Sequence, residues 1–570
     1  MRIKIINWAI FFSFLFLFFT IFNLGIVQHK KFKDLSNKNC IRLISQEGSR
    51  GKILDRKGNL IAGNNLEYNA MILPQRDLPG DEVLAKAASI LETDFSGLKN
   101  KLKDYFFTPS LPITLAKNVD IKKAMALEEL KPNLNSIIIQ PQPVRAYPYA
   151  GLACHLLGYL NEIDRWRLTK LTDYGYKTRD IVGFGGVEEV YDYYLHQEEG
   201  GQSIEVDNRG RSVRVLGFRP ARDGKDIQLT IDLKIQKIVE EKLSGKIGSV
   251  IIMDPISGEI IALASGPGFN PSVFVRKSSA SIRNLLSNPA APLINRAISG
   301  LYPAGSVFKL IVAVAGLETG KINLSKEFTC LGSINIGRQE FSCWNTHGQQ
   351  NLYQAITHSC NVFFYRTGLL VGAQTIHDYA VKFGLGKTTS IDLPYEEDGF
   401  LPDPLWRKLY RFKSWFDGDT ANLAIGQGEL LVTPLQIARM MAVFANRGYL
   451  VTPYIVKSVD NQDISLYRKK ISRMPIKEST INYIRQALRD VVLEPSGTGH
   501  VLSIPDIAIA GKTGTAQVSR GQAHAWFVGF FPFKNPKYVI CVFLEHGGPG
   551  YYSCLLAREI IEEMLKENLI

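Results

Sequence analysis

Ser306 and Lys309 stand three residues apart, behind Tyr302-Pro303-Ala304-Gly305 and ahead of an apolar run over residues 310–317. A serine hydroxyl is a weak nucleophile until a base takes its proton. A lysine amine can be that base only where burial or a neighbouring cation lowers its pKa. Pro and Gly just before the apolar run predict a helix start, and positions i and i+3 on its first turn face the same way. Such a start offers desolvation, and its free backbone N–H groups favour developing negative charge. Alone, Ser-x-x-Lys is a frequent chance match in a chain of 570 residues.

Two further motifs give it meaning. Ser359-Cys360-Asn361 begins 53 residues after Ser306. Its hydroxyl and amide can bridge a proton path and hold a substrate amide, although a helix cap or turn would use the same residues. Lys512-Thr513-Gly514-Thr515 begins 153 residues after Ser359, behind a short apolar strand over 508–510. A strand edge rich in Gly lets a substrate backbone approach and pair along it. Lys512 adds a second cation, expected to lower the pKa of Lys309 and to meet a substrate carboxylate. The bland reading of this motif is a turn with a surface lysine.

Cys330, Cys343, His347 and Cys360 have the spacing C-x12-C-x3-H-x12-C. Three thiolates and one imidazole form a closed structural zinc set. A Cys330–Cys343 disulfide or buried free thiols fit the same residues. Cys40, Cys154, Cys541 and Cys554 have no such spacing and read as small apolar packing residues.

The elements that must position these groups are legible in outline. The composition is 45% apolar and 21% charged, which excludes a disordered chain. Seven cysteines in so long a chain exclude a disulfide-stapled miniprotein. The net charge of +13 favours anionic surroundings without choosing among membrane, phosphorylated substrate and nucleic acid. No Lys/Arg tract with interleaved aromatics supports nucleic acid. An uncharged run from Ile5 to Gln28 follows Arg2 and Lys4. It is long enough to span a bilayer core of ~30 Å and lacks a small-x-small cleavage site, so a retained signal anchor is preferred to a cleaved signal peptide. No second run of that length follows, and the remainder is expected to form one ectodomain hung on one helix.

Residues 50–62 predict a hairpin with a Lys-Gly-Asn turn. Residues 81–135 alternate helical stretches with Lys-rich breaks, Pro141, Pro143 and Pro148 mark an extended crossing, and 205–211 read as strand and turn. A polar segment over 220–226 marks a domain junction. Beyond it, strands over 249–254, 259–264, 508–510, 524–530 and 538–543 bracket a helix-rich middle, and a helix over 553–567 closes the chain. The expected class is α+β, an antiparallel sheet covered by helices. The expected domains are a tail and transmembrane anchor over 1–31, an elongated mostly-β non-catalytic pedestal over 32–222 and a C-terminal catalytic domain over 223–570.

The order Ser-x-x-Lys, Ser-x-Asn, Lys-Thr-Gly is that of the penicillin-interacting serine enzymes. From residue 50 onward the chain resembles the penicillin-binding protein 2 family, the monofunctional class B peptidoglycan DD-transpeptidases of rod-shaped elongation. Arg145-Ala-Tyr-Pro148, His155-Leu-Leu-Gly-Tyr159, Gly186-Val-Glu-Glu189 and Asp207-Asn-Arg-Gly-Arg211 resemble its pedestal segments. Asn295-Arg296, Gly426-Gln427-Gly428 and His524-Ala-Trp-Phe-Val-Gly529 resemble its catalytic domain. Ala150 stands where that family often has Gly, and Cys154 where Ala is common. No glycosyltransferase-like region precedes the pedestal, and no C-terminal repeats are expected.

The resemblance implies Ser306 as nucleophile on D-Ala-D-Ala, Lys309 as base, and the backbone N–H groups of Ser306 and Thr515 as oxyanion hole. Ser359 and Asn361 would relay protons and orient substrate. Lys512, Thr513, Gly514 and Thr515 would bind the terminal carboxylate. β-Lactams would acylate Ser306. No cofactor is implied for catalysis. Zinc at the Cys/His set gains weight, because some members resemble the pattern with acidic residues at the first two positions. The implied partners are stem peptides, a membrane SEDS-family glycosyltransferase and other elongation proteins, at the bacterial inner membrane with the catalytic domain outside the cytoplasm. Competing classes are a septal transpeptidase, a penicillin-binding sensor with a silent site and a nucleic-acid binder.

Overall fold

The computed structural model describes residues 2–72, 80–104, 113–130, 137–206, 212–468 and 470–570, with the backbone alone at 2, 35–45, 101–104, 206 and 212. Packing divides the chain into two units, each assembled from separated segments. The first takes Met1–Arg50, Asn64–Val144 and His196–Gly224; the second takes Gly51–Gly63, Arg145–Leu195 and Lys225–Ile570.

In the first unit, the helix that starts at Arg2 carries a stretch, Ile3–Val27, of mean hydropathy 2.4. It is long and apolar enough to cross a membrane, and its side chains are exposed. A three-stranded antiparallel sheet joins Ile41–Gln46, Gly200–Val206 and Ser212–Arg219. Its expected turn, including Asp207-Asn-Arg-Gly-Arg211, lies outside the described residues. The helical stretches read over 81–135 form as Asp81–Ile90, Phe95–Asp104 and Ile121–Glu128, with a strand Ile113–Val119 between the last two. Leu84, Ala87, Ile113 and Leu127 belong to their shared core.

The second unit is built on a five-stranded antiparallel sheet in the order Ile260–Gly266, Gly248–Met253, Tyr538–Leu544, His524–Phe531, Ala510–Ala516. Alternate residues of one strand enter different cores, as the pleat requires. Val539, Cys541 and Phe543 join the core that holds helices Lys309–Glu318 and Pro434–Ala445. Ile540, Val542 and Leu544 join the core under helices Leu233–Leu243 and Gly550–Lys566. Both faces are covered, which explains the near-continuous apolar runs of these strands.

The residues 508–510 expected as a strand only introduce one: the strand is Ala510–Ala516 and contains the whole Lys-Thr-Gly motif. Pairing of Lys512 with Val528 and Gly514 with Trp526 overrides the low strand propensity of Gly and Lys.

Segments 51–63 and 145–195 pack within this unit. Ile53–Leu54 turns back onto the strand beginning at Leu60, with Asp55 Oδ1 accepting from the amides of Lys57 and Asn59 and Gly58 at φ +85°. Ile53 also runs parallel to Ile227. Arg145 Nε donates to Glu188 Oε1 at 2.7 Å and its Nη1 to the Gly51 carbonyl at 2.7 Å, with both side chains essentially inaccessible. Removing one member of a buried pair strands the other charge and typically costs about 3–5 kcal/mol. Arg145→Ala is therefore expected to lower resistance to urea by about 3 kcal/mol or more. Arg145→Ala/Glu188→Gln should recover part of that loss. Equal stability of Arg145→Ala and wild type would sink this account.

Candidate active site

Gly305–Phe308 is a tight 3-10 turn, and Lys309–Glu318 is the α-helix that continues it. Ser306 therefore lies in the 3-10 turn rather than in the first α-turn. A 3-10 helix aligns i with i+3 more directly than an α-helix does, so Ser306 and Lys309 stay on one line. Lys309 is fully buried. Its Nζ donates to the Ser359 carbonyl at 2.8 Å, to Asn361 Oδ1 at 2.6 Å and to Ser359 Oγ at 3.3 Å. The Phe364 ring lies 5.5 Å from it. Burial pulls the Lys309 pKa down to about 8, against an opposing pull from Cys343 and Cys360.

The Ser359 geometry follows from how one helix ends and the next begins. Helix Leu352–Thr357 starts with a capping box of Asn351 and Gln354. It closes with the amide of Ser359 bonded to the Ile356 carbonyl and that of Cys360 to the Ala355 carbonyl. This is a Schellman closure, whose left-handed position is usually Gly. Here it is Ser359, at φ +57°. The serine holds an unfavourable backbone conformation and keeps a hydroxyl that Gly would lack. Asn361 opens the next helix, Asn361–Val371. Its Nδ2 donates to the Ser342 carbonyl at 3.2 Å, and Tyr365 Oη donates to the same carbonyl at 3.1 Å. Ser342 ends the hairpin Ser333–Ile336/Gln339–Ser342. Sequence reasoning missed this carbonyl, since a backbone acceptor leaves no mark in residue identity.

Ala510–Ala516 is the last strand of its sheet, with its outer edge unpaired among the described residues. Lys512 is fully buried and Thr515 is exposed. Lys512 Nζ donates to the Thr513 carbonyl at 3.2 Å, and the Thr513 and Thr498 hydroxyls are 2.7 Å apart. Burial first, then the charge of Lys309, push the Lys512 pKa far down. The two cations repel each other, and burial is the larger cause of the lowered pKa at both.

Three glycines allow close main-chain approach around the serine turn and this strand. A Cβ on Gly305, which sits at φ +58°, would stand 2.9 Å from the Thr515 carbonyl oxygen. One on Gly426 would stand 2.1 Å from the Gly305 oxygen, and one on Gly550 2.6 Å from the Gly514 oxygen. The Gly305 amide donates to the Gly426 carbonyl at 2.8 Å, and Trp526 Nε1 donates to the Pro303 carbonyl at 3.1 Å. These contacts give Gly426 and Trp526 their place in the site.

The Cys/His set converges as its spacing suggests. One ligand atom from each of Cys330, Cys343, His347 and Cys360 lies within 4.8 Å of all the others. Cys330 and Cys343 Sγ are 3.6 Å and 3.5 Å from His347 Nδ1. The Asn361 amide donates to Cys343 Sγ at 3.2 Å. A hydrogen bond from Cys360 holds the Cys343 thiol well below its ordinary range and raises that of Cys360. Four donor atoms all within 4.8 Å of one another can close on one ion with ~2.0–2.3 Å bonds. His358 faces elsewhere: its ring nitrogens meet Gln350 Oε1 at 2.8 Å and Ser496 Oγ at 3.2 Å. Cys154, Cys541 and Cys554 are buried apart from the set.

A buried lysine joining a Ser-x-Asn turn, beside a serine turn and a Lys-Thr-Gly edge strand, defines a serine acyl-transfer site. Residues 248–566 match the penicillin-binding protein transpeptidase domain, and residues 45–229 match the penicillin-binding protein dimerisation domain. The chain belongs to the penicillin-binding protein transpeptidase family. It is 32% identical over 573 residues to the peptidoglycan D,D-transpeptidase MrdA of Acinetobacter baumannii, covering 95% of this chain and 84% of that one. The penicillin-binding protein PBP2 of Helicobacter pylori, solved in complex with MreC, superposes with a TM-score of 0.80 at 27% identity, covering 93% of this chain and 99% of that one. A chain in a structure described as a peptidoglycan synthase complex that coordinates polymerization and crosslinking gives a TM-score of 0.73 at 26% identity, covering 98% and 97%.

Two outcomes test the geometry. Acylation of the chain by a penicillin should accelerate as pH rises through about 8, because only the neutral Lys309 amine accepts a proton. A flat rate from pH 7 to pH 9 would remove Lys309 as the base. Ser359→Gly should leave unfolding stability unchanged or raise it by up to about 1 kcal/mol. It should nevertheless slow acylation by about 100-fold or more. Normal acylation in that variant would show that the hydroxyl is dispensable.

Proposed function

We propose that this chain is a peptidoglycan D,D-transpeptidase of lateral wall elongation and cell-shape maintenance, working through an acyl-serine at Ser306. The observation that carries the reading is the fully buried Lys309 amine, lowered in pKa and fixed on Ser359 and Asn361. Ser306 Oγ attacks the carbonyl of the penultimate D-Ala and its proton passes to Lys309. The oxyanion is received by the backbone N–H groups of Ser306 and Thr515. Ser359 and Asn361 pass a proton to the leaving amine and hold the peptide. Lys512, Thr513 and Thr515 receive the terminal carboxylate, and Gly514 keeps the strand open to it. The C–N bond breaks and the terminal D-Ala departs. The amine of a neighbouring stem peptide then attacks the ester, forming the crosslink and freeing Ser306. Water in place of that amine gives a carboxypeptidase side reaction. A β-lactam forms the same ester and blocks the site.

In this reading residues 32–222 form the non-catalytic pedestal and 223–570 the transpeptidase domain, with 51–63 and 145–195 the pedestal segments that pack in the second unit. Residues 1–31 anchor the chain through Ile3–Val27, and the catalytic domain faces the outside of the inner membrane. The complex of the Helicobacter relative with MreC and the peptidoglycan synthase complex support elongation proteins and a SEDS-family glycosyltransferase as partners. Catalysis needs no cofactor. Cys330, Cys343, His347 and Cys360 would hold a structural Zn2+, which closes four ligands into one rigid knot. That knot would fix Cys360 between Ser359 and Asn361.

Mass spectrometry of the chain after incubation with a labelled penicillin should find the adduct on the peptide containing Ser306, and none with Ser306→Ala. A folded wild-type chain that takes no label would overturn the acyl-serine reading. Metal analysis of the same sample should return one zinc per chain, and Cys343→Ser should lose it and acylate more slowly. A mass 2 Da lower than the fully reduced chain, without metal, would instead mean a Cys330–Cys343 disulfide.

A further inference from the structure

A groove of about 630 Å3 opens in the second unit where the end of helix Pro434–Ala445 meets a two-stranded sheet and the turn at 534–537. Ile256, Tyr449 and Ile471 supply an apolar lining, with exposures of 61%, 38% and 43%. Arg447, Lys534 and Lys537 line it as well. None of its lining residues is acidic, and none of these three cations is ion-paired among the described residues.

A fourth cation lies behind it. Arg485 is buried, and its guanidinium donates to the carbonyls of Phe444, Ala445 and Phe533, with no carboxylate partner among the described residues. Its ring neighbours are Phe530 at 4.8 Å and Phe533 at 5.3 Å. Ala445 itself lines the groove. Positive charge gathered on low-dielectric walls attracts anions. Burial and then the like charge of Arg447 lower the Arg485 pKa, a sign that the positive charges act on one another.

The third observation is a free backbone edge. Strand Ile471–Arg473 pairs only with Tyr449–Val451 among the described residues, and all three of its residues are exposed. An unpaired edge accepts an added strand. An anionic lipid would use the cations but not this edge, whereas an extended peptide uses both.

We propose that this groove docks an extended acidic segment of a partner protein. The segment adds a strand to Ile471–Arg473, sets one large apolar side chain against Ile256 and Tyr449, and places carboxylates on Arg447, Lys534 and Lys537. The docking face is distinct from the acyl-transfer residues and does not depend on the assigned reaction.

The test uses the full chain in nonionic detergent and a fluorescein-labelled peptide that alternates Glu with Ile or Trp, read by anisotropy. Saturable binding is expected, weakened by about tenfold or more in Lys534→Glu/Lys537→Glu and in Ile471→Pro. Penicillin labelling of Ser306 should be unchanged in both variants, which shows that they fold. A peptide with Lys in place of Glu should not bind. Absence of saturable binding, or equal affinity in wild type and the charge-reversed variant, would overturn the proposal. So would loss on charge reversal with full retention in Ile471→Pro, which removes strand addition. Binding of phosphatidylglycerol vesicles through the same lysines, without binding of the peptide, would assign the groove to lipid and also overturn it.

Discussion

The hydrogen-bonded burial of one amine is the constraint on which the active site depends. Lys309 is buried, and among the described residues its Nζ meets a backbone carbonyl, a hydroxyl and an amide oxygen and no carboxylate. Neutral acceptors satisfy its protons without pinning it as a cation, so burial can lower the pKa. A carboxylate in the same place would hold the lysine charged. The Ser359 carbonyl points at Lys309 because the preceding helix ends in a left-handed residue. Asn361 points there because it begins the following helix while its other amide atom rests on Ser342. The Cys/His set grips the same corner from the far side, through the Asn361 amide on Cys343.

The other half of the site is governed by clearance rather than by hydrogen bonding. The serine turn, the Gly426 turn and the Lys-Thr-Gly strand approach so closely that a methyl group at Gly305 or Gly426 would meet carbonyl oxygen. Main chain brought this near can present N–H groups to a developing oxyanion with little reorganisation. The strand lies last in its sheet, leaving one edge for a peptide. The two lysines are buried close enough for one charge to depress the other, so holding both protonated is unfavourable.

Much of this was legible in the residues. The three motifs, their order and the four-residue Cys/His set could be named before any coordinate, because each depends on side-chain identity and spacing. The closing helix expected over 553–567 also emerged, as Gly550–Lys566. The Lys-Thr-Gly segment was legible as chemistry but not as strand, since its pairing with His524–Phe531 comes from tertiary context. The Ser342 carbonyl and the 3-10 turn at Ser306 were invisible because backbone placement leaves no mark in residue identity. Nor does the sequence reveal that 51–63 and 145–195 pack with the catalytic sheet, because apolar pattern tells which face is buried and not against what.

The strand order of that sheet has a consequence for biosynthesis. Gly248–Met253 lies between Ile260–Gly266, its near neighbour in the chain, and Tyr538–Leu544, the last strand to leave the ribosome. Until that strand arrives, an inner strand has a bare edge and Ile251 and Val250 lack part of their cover on each face. Segments made far earlier, around Ile53 and Leu157, must also wait for the same core. Closing loops of this length is slow, and unpaired strand edges invite aggregation in the interval. A nascent or truncated chain that stops short of Tyr538 is therefore left with an open sheet, a natural substrate for holding chaperones and quality-control proteases rather than a partly active enzyme.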